Sequence, residues 1–137
     1  MAATGENQLL DMVRGGYELW NAGDVEAVSR MWSDDFEWHN DPSWPGQQVY
    51  YGRDTVVRFL RDEVVDVIDL GEIEVDRIEV VGEELVICMI ARTRGHESEL
   101  DIGKVPIFHV AKVRGREIVR VRAFLDEAQA MAAARDG

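Results

Sequence analysis

Cysteine and positive charge are scarce in this sequence, and each scarcity excludes a class of protein. The single cysteine, Cys88, cannot form an internal disulfide, and the apolar residues around it predict a buried, unreactive thiol. The chain has 15 Lys and Arg against 27 Asp and Glu, a net charge of −12. Because nucleic acids and anionic membranes are bound by clustered cations, we expect neither as a partner.

Long apolar segments are also missing. No stretch approaches the ~18 apolar residues of a membrane span, and residues 1–6 have neither the basic start nor the apolar centre of a signal peptide. We therefore expect a cytoplasmic protein. The 137 residues, 46% of them hydrophobic, predict one globular domain over residues 1–137. A domain of this length buries about two-thirds of its unfolded surface.

The first half of the chain has the apolar spacing of helices. Over residues 6–22, apolar side chains recur every three or four positions, which predicts a helix with one buried face. Gly23 and Asp24 are typical of a helix end and a helix start, so they predict a corner before a second, short helix over residues 25–32. A third helix is predicted after Asp54, extending to about Val65.

The second half, residues 71–124, has the alternation of strands. The apolar phase slips by one residue between Val75 and Ile78, which requires a β-bulge near Asp76 and Arg77 or a change of partner strand. The next strand, residues 85–94, is apolar on both sides at first, so both of its faces should be covered. Polar turns are expected at Gly82, at residues 95–101 and at residues 114–116.

The order of these elements predicts an α+β fold, with helices on one face of a curved sheet built from an antiparallel run of strands. A capping-box pattern at Asp126 and Gln129 predicts a short C-terminal helix. The other face of the sheet is apolar at Val86, Cys88 and Ile90, and no further element looks long enough to cover it. A second subunit is therefore predicted there, in an isologous homodimer.

The segment of residues 33–45 is the strongest candidate for a pocket, because it combines two Trp, two Pro, one His and four carboxylates. His39 and Asp41 are two residues apart and would face the same way on an extended chain. A His beside a carboxylate is a plausible general base near neutral pH. An equal alternative is that His39 bonds a loop carbonyl and Asp41 caps a turn ahead of Pro42. The pair lacks a third ligand, so no metal is expected.

Five segments, in this order, resemble the NTF2-like superfamily, specifically its SnoaL-like and ketosteroid-isomerase-like branch. They are Tyr17 with Trp-Asn-Ala-Gly-Asp at residues 20–24, Ser-Asp-Asp-Phe-Glu-Trp-His-Asn-Asp-Pro at 33–42, Tyr-Gly-Arg at 51–53, Pro-Ile-Phe-His at 106–109 and Ile-Val-Arg-Val-Arg-Ala-Phe-Leu-Asp at 118–126. The resemblance covers nearly the whole chain. It implies a conical α+β barrel, with three N-terminal helices packed in a curved, mostly antiparallel sheet, and usually a dimer through that sheet.

The catalytic set of ketosteroid isomerases is only partly present. The resemblance places either Asn40 or Asp41 at the position of the general base, with Asp41 preceding Pro42 as in that family. Phe108 stands where the family has an oxyanion-binding Asp and donates no hydrogen bond. The family's Tyr position matches Gly16, with Tyr17 one residue away. One of three roles remains, so steroid-type isomerisation is disfavoured.

Two other catalytic sets of the superfamily are also incomplete. SnoaL-type cyclases resemble the end of this chain and have a His and an Asp on their last strand. The matching positions here look like Val121 and Ala123, which are both apolar. Arg92 and Arg94 lack the neighbouring carboxylate of the epoxide hydrolases. The resemblance further implies that His109 faces the dimer partner as a structural His. Arg120, between Val119 and Val121, is expected to face outward or to pair with acids, as is Arg122.

We therefore expect a small-molecule enzyme that uses cofactor-independent acid/base chemistry, of isomerase, cyclase or lyase type, on an apolar cyclic or polyketide-like substrate. Asp41 or His39 would be the base and Tyr17 a possible donor. The expected apolar walls are Trp20, Trp38, Trp44, Phe59, Met89, Phe108 and Val121. The alternative is a non-catalytic ligand-binding or dimeric scaffold protein, and a weaker alternative is an epoxide hydrolase-like enzyme.

Overall fold

The structure is a computed structural model that describes residues 2–65, 70–94 and 101–136, and the side chains of residues 8–63, 72–91 and 105–136. Within these residues the helices are α1 (Ala2–Asn21), α2 (Val25–Ser29), α3 (Arg53–Phe59), continued by a π-helical segment (Leu60–Val65), and α4 (Glu127–Asp136). The strands are β1 (Trp32–His39), β2 (Val49–Tyr51), β3 (Leu70–Val81), β4 (Glu84–Arg94), β5 (Asp101–Arg114) and β6 (Glu117–Phe124).

The six strands form one curved, unclosed sheet in the order β2-β1-β6-β5-β4-β3. Every neighbouring pair is antiparallel except β1 and β6, which run parallel. The helices α1, α2 and α3 pack on the concave face, through buried residues such as Val13, Val28 and Val56. This architecture confirms the predicted α+β fold with its short C-terminal helix.

The corner between α1 and α2 forms as its residues predict. Gly23 has φ 82°, a conformation that glycine adopts without steric cost, and the Asp24 side chain accepts a hydrogen bond from the Ala27 amide at 3.0 Å. The end of α1 is joined to β3, because the Asn21 amide side chain both donates to the Ile73 carbonyl and accepts from its N–H, each at 2.8 Å. This contact positions α1 over the concave face.

Two local predictions can be compared directly with the strands. The register of β3 against β4 shifts between Val75 and Arg77, which confirms the predicted bulge. The second helix ends at Ser29, three residues before its predicted end, because Trp32 begins β1 and stacks on Phe36 with ring centroids 4.3 Å apart. A polar turn was predicted at residues 95–101. Residues 95–100 lie outside the described residues, and Asp101 begins β5.

The convex face of the sheet is covered by α4. Val86 and Cys88 of β4, with Phe108 and Val110 of β5, form a buried cluster with Ala130 and Ala134 of α4. The prediction that no element of the chain could cover Val86 and Cys88 is therefore wrong. The small alanine side chains let the helix axis approach the sheet closely, so a ten-residue helix is sufficient. The homodimer stays a prediction, but the apolar surface at Val86 and Cys88 no longer supports it.

Beside this cluster the convex face carries one buried charge and two half-buried ones. The Glu84 carboxylate is 3% exposed and pairs with the guanidinium groups of Arg120 and Arg122, the second at 2.7 Å. Arg122 also donates to the Ala133 carbonyl of α4 at 3.0 Å. Of the two alternatives expected for these arginines, facing outward or pairing with acids, the structure shows the pairing. None of the described helices combines the length and the apolarity needed to cross a membrane.

Candidate functional site

A cavity of about 380 Å³ lies between the N-terminal helices and the concave face of the sheet. Its walls come from α1, α2, the π-helical segment, every strand except β2, and the loop after β1, and nearly all of the side chains are apolar. The indoles of Trp20, Trp38 and Trp44 are part of the lining, together with that of Trp32, which was not among the predicted wall residues. Apolar walls with a few placed polar groups are the usual form of a small-molecule site.

Four of the seven predicted wall residues line the cavity, namely Trp20, Trp38, Trp44 and Val121. Two others lie in the core behind the lining: Met89 is fully buried, and Phe59 packs edge-on against Trp44 with ring centroids 6.0 Å apart. Phe108 lies on the convex face under α4, which corrects its expected place in the wall. Strand alternation explains this, because the neighbours of Phe108 on β5 face the cavity.

The centre of the cavity's polar surface is a hydrogen bond between two elements far apart in the chain. The Tyr17 hydroxyl of α1 lies 2.7 Å from Nδ1 of His109 on β5. The edge of Trp38 meets the His109 ring with centroids 5.3 Å apart, so the imidazole is held by an aromatic side chain as well as by the hydrogen bond. Both members of the pair line the cavity.

The orientation of His109 corrects the expectation drawn from the family resemblance. Val105, Ile107 and His109 do share one side of β5, as their spacing predicts, but that side is the concave one. The imidazole therefore faces the cavity and not a dimer partner. In the observed register His109 pairs with Ile87, whose side of β4 is buried under the helices.

Burial keeps both groups of this pair uncharged at neutral pH. It raises the pKa of the Tyr17 hydroxyl well above its ordinary value of 10.0 and lowers the pKa of the His109 imidazole from 6.5 to about 4. Both side chains keep some accessible surface, but that surface is the cavity wall. The pair therefore consists of a neutral phenol and a neutral imidazole that share one hydrogen bond.

Asp41 lies at the edge of the cavity, where it holds the loop after β1 in place. One carboxylate oxygen accepts the Leu125 N–H at 2.8 Å, and the other accepts the Ser43 N–H at 2.8 Å and the Ser43 hydroxyl. Partial burial raises the pKa of this carboxyl, but the hydrogen bonds from Ser43 and Leu125 outweigh it, so the pKa lies below its ordinary value. Asp41 thus has the geometry of a turn cap, the role considered above as the alternative to a general base.

His39 does not reach the cavity. It follows Trp38 on β1, and because alternate side chains point to opposite faces, Trp38 faces the cavity and His39 faces away. Its Nε2 lies 3.2 Å from Oε1 of Glu37. The structure therefore does not bring His39 and Asp41 together, since the strand ends at His39 and Asp41 begins the turn that follows. The imidazole inside the cavity is that of His109.

Asn40 also lines the cavity, and its role there is to orient an indole. Its side-chain oxygen accepts the Trp38 Nε1–H at 2.8 Å, and its amide nitrogen donates to the Gln47 carbonyl at 3.0 Å. Both candidates for the family's base position, Asn40 and Asp41, are thus engaged in hydrogen bonds within the loop. Among the described side chains, no three His, Cys, Asp or Glu lie close enough together to hold a metal ion.

The chain is similar to known proteins over nearly its whole length. The model of the SnoaL-like domain family matches residues 13–125. An NTF2-like protein of unknown function from Burkholderia pseudomallei is 20% identical, over 90% of this chain and 95% of its own, with a TM-score of 0.73. None of the curated proteins matches the sequence.

Two further solved structures share the fold and were determined with small molecules. TerC, co-crystallised with polyporic acid, is 14% identical over 94% of this chain and 98% of its own, with a TM-score of 0.72. A protein from Catenulispora acidiphila with a ketosteroid isomerase-like fold, in complex with trimethylamine, is 14% identical over 90% and 91%, with a TM-score of 0.68. At these identities the likeness shows the fold alone.

Proposed function

The chain belongs to the SnoaL-like domain family and has the NTF2-like fold, and from this premise we propose that it binds a small, largely apolar, cyclic molecule in its cavity and moves a proton within it without a cofactor. The observation that carries the proposal is the Tyr17–His109 hydrogen bond of 2.7 Å, which presents polar atoms to an otherwise apolar cavity. Two proteins of the same fold that were determined with small molecules support a ligand-binding role.

The walls favour a flat, apolar ligand. Trp20, Trp38 and Trp44 offer indole surfaces, and the aliphatic residues between them supply no charge. Such a ligand loses its hydration on entry, which contributes roughly 25 cal/mol for each Å² of apolar surface removed from water. A polar substituent on the ligand also loses its hydration, and it regains a hydrogen bond if it reaches Tyr17 or His109. The pair therefore sets the orientation of the ligand.

The acid/base groups of the proposal are Tyr17 and His109. Tyr17 keeps the donor role predicted for it, and His109 provides the imidazole that was expected from His39. Asp41 as the base stays a prediction, but it receives less support, because a carboxylate with a lowered pKa and three accepted hydrogen bonds is a weak proton acceptor. Reactions of isomerase, cyclase or lyase type all require a proton donor and acceptor placed in this way.

The second candidate function is ligand binding without chemistry. It is favoured by the same occupied Asp41 carboxylate and by the low pKa of His109, since neither group is a strong base. The epoxide hydrolase-like alternative depends on Arg92 and Arg94, whose side chains lie outside the described residues. It therefore gains no support here.

The binding part of the proposal can be tested with two matched probes, naphthalene and 2-naphthol, which differ by one hydroxyl. Isothermal titration should show that the protein binds both, and 2-naphthol about 2- to 10-fold more tightly, the effect of one hydrogen bond. In a Tyr17→Phe, His109→Leu double variant the two affinities should become equal. Tyr51→Phe is the matched control, because Tyr51 is 66% exposed on β2 and outside the cavity. If neither probe binds, the proposed function is wrong.

A further inference from the structure

We propose that a cleft between α2 and α3 is a second binding site, and that its ligand is a small phosphate ester. The cleft has a volume of about 560 Å³. No described residue lines both this cleft and the apolar cavity, so the inference does not rest on the proposed function. The residues that line the cleft are Glu26, Ser29, Arg30, Arg53, Asp54, Val57, Arg58 and Arg61.

The spacing of these residues explains why they share one cleft. Glu26, Ser29 and Arg30 are three and four residues apart, so they lie on one side of α2 and its C-terminal end. Val28, between them in sequence, lines the apolar cavity instead. The cleft residues of α3 and the π-helical segment follow the same spacing, while Leu60 points to the cavity. The two helices therefore present apolar residues to the cavity and polar residues to the cleft.

Two of the four arginines are used to hold the helices in place. Arg61 donates to Glu26 of α2 at 3.2 Å, which joins the two walls of the cleft. Arg53 pairs with Asp34 of β1 at 2.9 Å and also donates to the Trp32 carbonyl at 3.4 Å. Each of these guanidinium groups therefore already has a carboxylate partner.

Arg30 and Arg58 are the two guanidinium groups that remain. Both side chains are exposed, and neither forms a hydrogen bond or an ion pair with any described residue. Asp54 and Asp62 lie four residues before and after Arg58, the spacing of a helical ion pair, but Asp62 pairs with Arg61 and Asp54 with no described cation. Two like charges in one cleft repel each other, and one anion between them would relieve that repulsion.

This concentration of cations is unusual for the chain. The whole sequence has 27 acidic residues against 15 basic ones, whereas the cleft is lined by four arginines and only two acids. An acidic protein repels anions over most of its surface, so a cleft with excess cations is where a small anion meets the least repulsion. A nucleic acid is disfavoured, because its further phosphates would extend beyond the cleft.

The type of cation and the size of the cleft indicate the ligand. Every cation is an arginine, whose planar guanidinium binds phosphate and carboxylate oxygens in pairs. A phosphate monoester has a charge of about −1.5 to −2 at neutral pH and three acceptor oxygens on one atom, so a single group can satisfy Arg30 and Arg58 together. Val57, 9% exposed, adds an apolar surface, and the cleft has room for the organic part of the ester.

The test titrates the full chain with glycerol 3-phosphate at constant ionic strength and follows the arginine side chains by ¹⁵Nε–¹³Cζ NMR. The Arg30 and Arg58 signals should shift and saturate, and glycerol alone should not move them. Arg30→Gln and Arg58→Gln should each weaken binding about 10-fold, the effect of one charge-assisted hydrogen bond. Arg116→Gln is the matched control, because Arg116 is exposed in the turn between β5 and β6 and lies outside the cleft. It should bind as the parent does.

A variant that strengthens binding gives a second, independent measurement. Asp54 contributes an unpaired carboxylate to the lining, so Asp54→Asn should tighten binding of glycerol 3-phosphate by up to about 5-fold. Unchanged or weaker binding in this variant would place the phosphate away from the cleft and overturn the site.

The other outcomes separate a built site from general attraction between charges. Shifts that do not saturate, or equal losses of affinity in Arg116→Gln and in the cleft variants, would overturn the site. Tighter binding of succinate, a dicarboxylate, than of glycerol 3-phosphate would overturn the phosphate assignment. Binding of a single-stranded oligonucleotide but not of glycerol 3-phosphate would overturn the small-molecule assignment. The naphthalene and 2-naphthol titrations test the cavity separately, so either site can fail without the other.

Discussion

The two faces of this sheet bury polar groups in opposite ways. On the convex face, Glu84 pairs with Arg120 and Arg122, and Arg122 also donates to a carbonyl of α4. On the concave face, Tyr17 and His109 are kept neutral and face a cavity. Charges are retained where the buried carboxylate has permanent cationic partners, whereas the Tyr17–His109 pair, on the surface proposed to exchange one ligand for another, carries no charge that would have to be left unpaired.

A single strand, β4, contributes side chains to both faces of the sheet. Glu84, Val86 and Cys88 point to the convex side of β4, while the residues between them point to the helices. A strand with two buried faces can therefore contribute to a charged cluster on one face and to an apolar cavity wall on the other. This separation can be tested by changing one face at a time.

The largest expected effect comes from removing the buried carboxylate. Glu84→Gln leaves the guanidinium groups of Arg120 and Arg122 facing each other without an anion, so we expect it to lower the free energy of unfolding by about 3–5 kcal/mol, measured by urea denaturation. Glu26→Gln is the matched control, because Glu26 is 72% exposed and pairs with Arg61 at 3.2 Å. It should cost at most about 1 kcal/mol. Equal losses in the two variants would contradict the comparison.

The next effect in size concerns pH and the concave face. Burial lowers the pKa of His109 from 6.5 to about 4, so between these pH values the unfolded chain binds a proton that the folded chain does not. Stability should therefore fall as the pH falls from 6.5 to 4, by up to about 1.4 kcal/mol per pH unit from this residue. Urea denaturation across this range, with ¹⁵N NMR of the imidazole, measures both quantities.

Other acids also titrate in this range, so the contribution of His109 is obtained by difference. His109→Gln removes the imidazole and keeps a neutral polar group, and its stability should depend less steeply on pH between 6.5 and 4. A parallel dependence in the two proteins would mean that His109 is not buried in the neutral form. The convex face is the same in the two proteins, so it should not distinguish them.

The smallest effect concerns two adjacent glycines of α1. Gly15→Ala meets no atom within 4 Å and should stabilise the protein by about 0.5–1 kcal/mol, because alanine loses less backbone entropy in a helix. At Gly16 an added Cβ would clash with Cε of Met31, which lines the cavity. Met31 must then shift its flexible end, so Gly16→Ala should be less stable than Gly15→Ala and should bind 2-naphthol more weakly. Equal affinities would show that the Met31 wall adapts without loss.

Much of the fold could be predicted because its signals are local. The corner at Gly23 and Asp24, the bulge between Val75 and Arg77 and the two-faced strand β4 each depend on a few neighbouring residues. The cover over the convex face could not be predicted in this way. It depends on Ala130 and Ala134, which look unremarkable in sequence and gain their role only by meeting strands more than 20 residues away.

The cavity lining was partly predictable, but the imidazole that enters it was not. The family resemblance pointed to Tyr17, the aromatic residues to Trp20, Trp38 and Trp44, and all four line the cavity. His39 was favoured over His109 because it stands beside Asp41 in sequence. Proximity in sequence does not fix the direction of a side chain. His39 is the last residue of β1 and faces away from the cavity, whereas Asp41, in the loop that follows, lies at the edge of the cavity.

The amino-acid sequence by itself determined the element order, the family and the apolar character of the interior, because these follow from local periodicity and from an ordered set of short segments. Only the tertiary structure decided which face of β5 meets the helices. That choice brings His109 to Tyr17 across 92 residues and seats α4 on the opposite face. Strand alternation allows either face to turn inward, and only packing against the helices selects one.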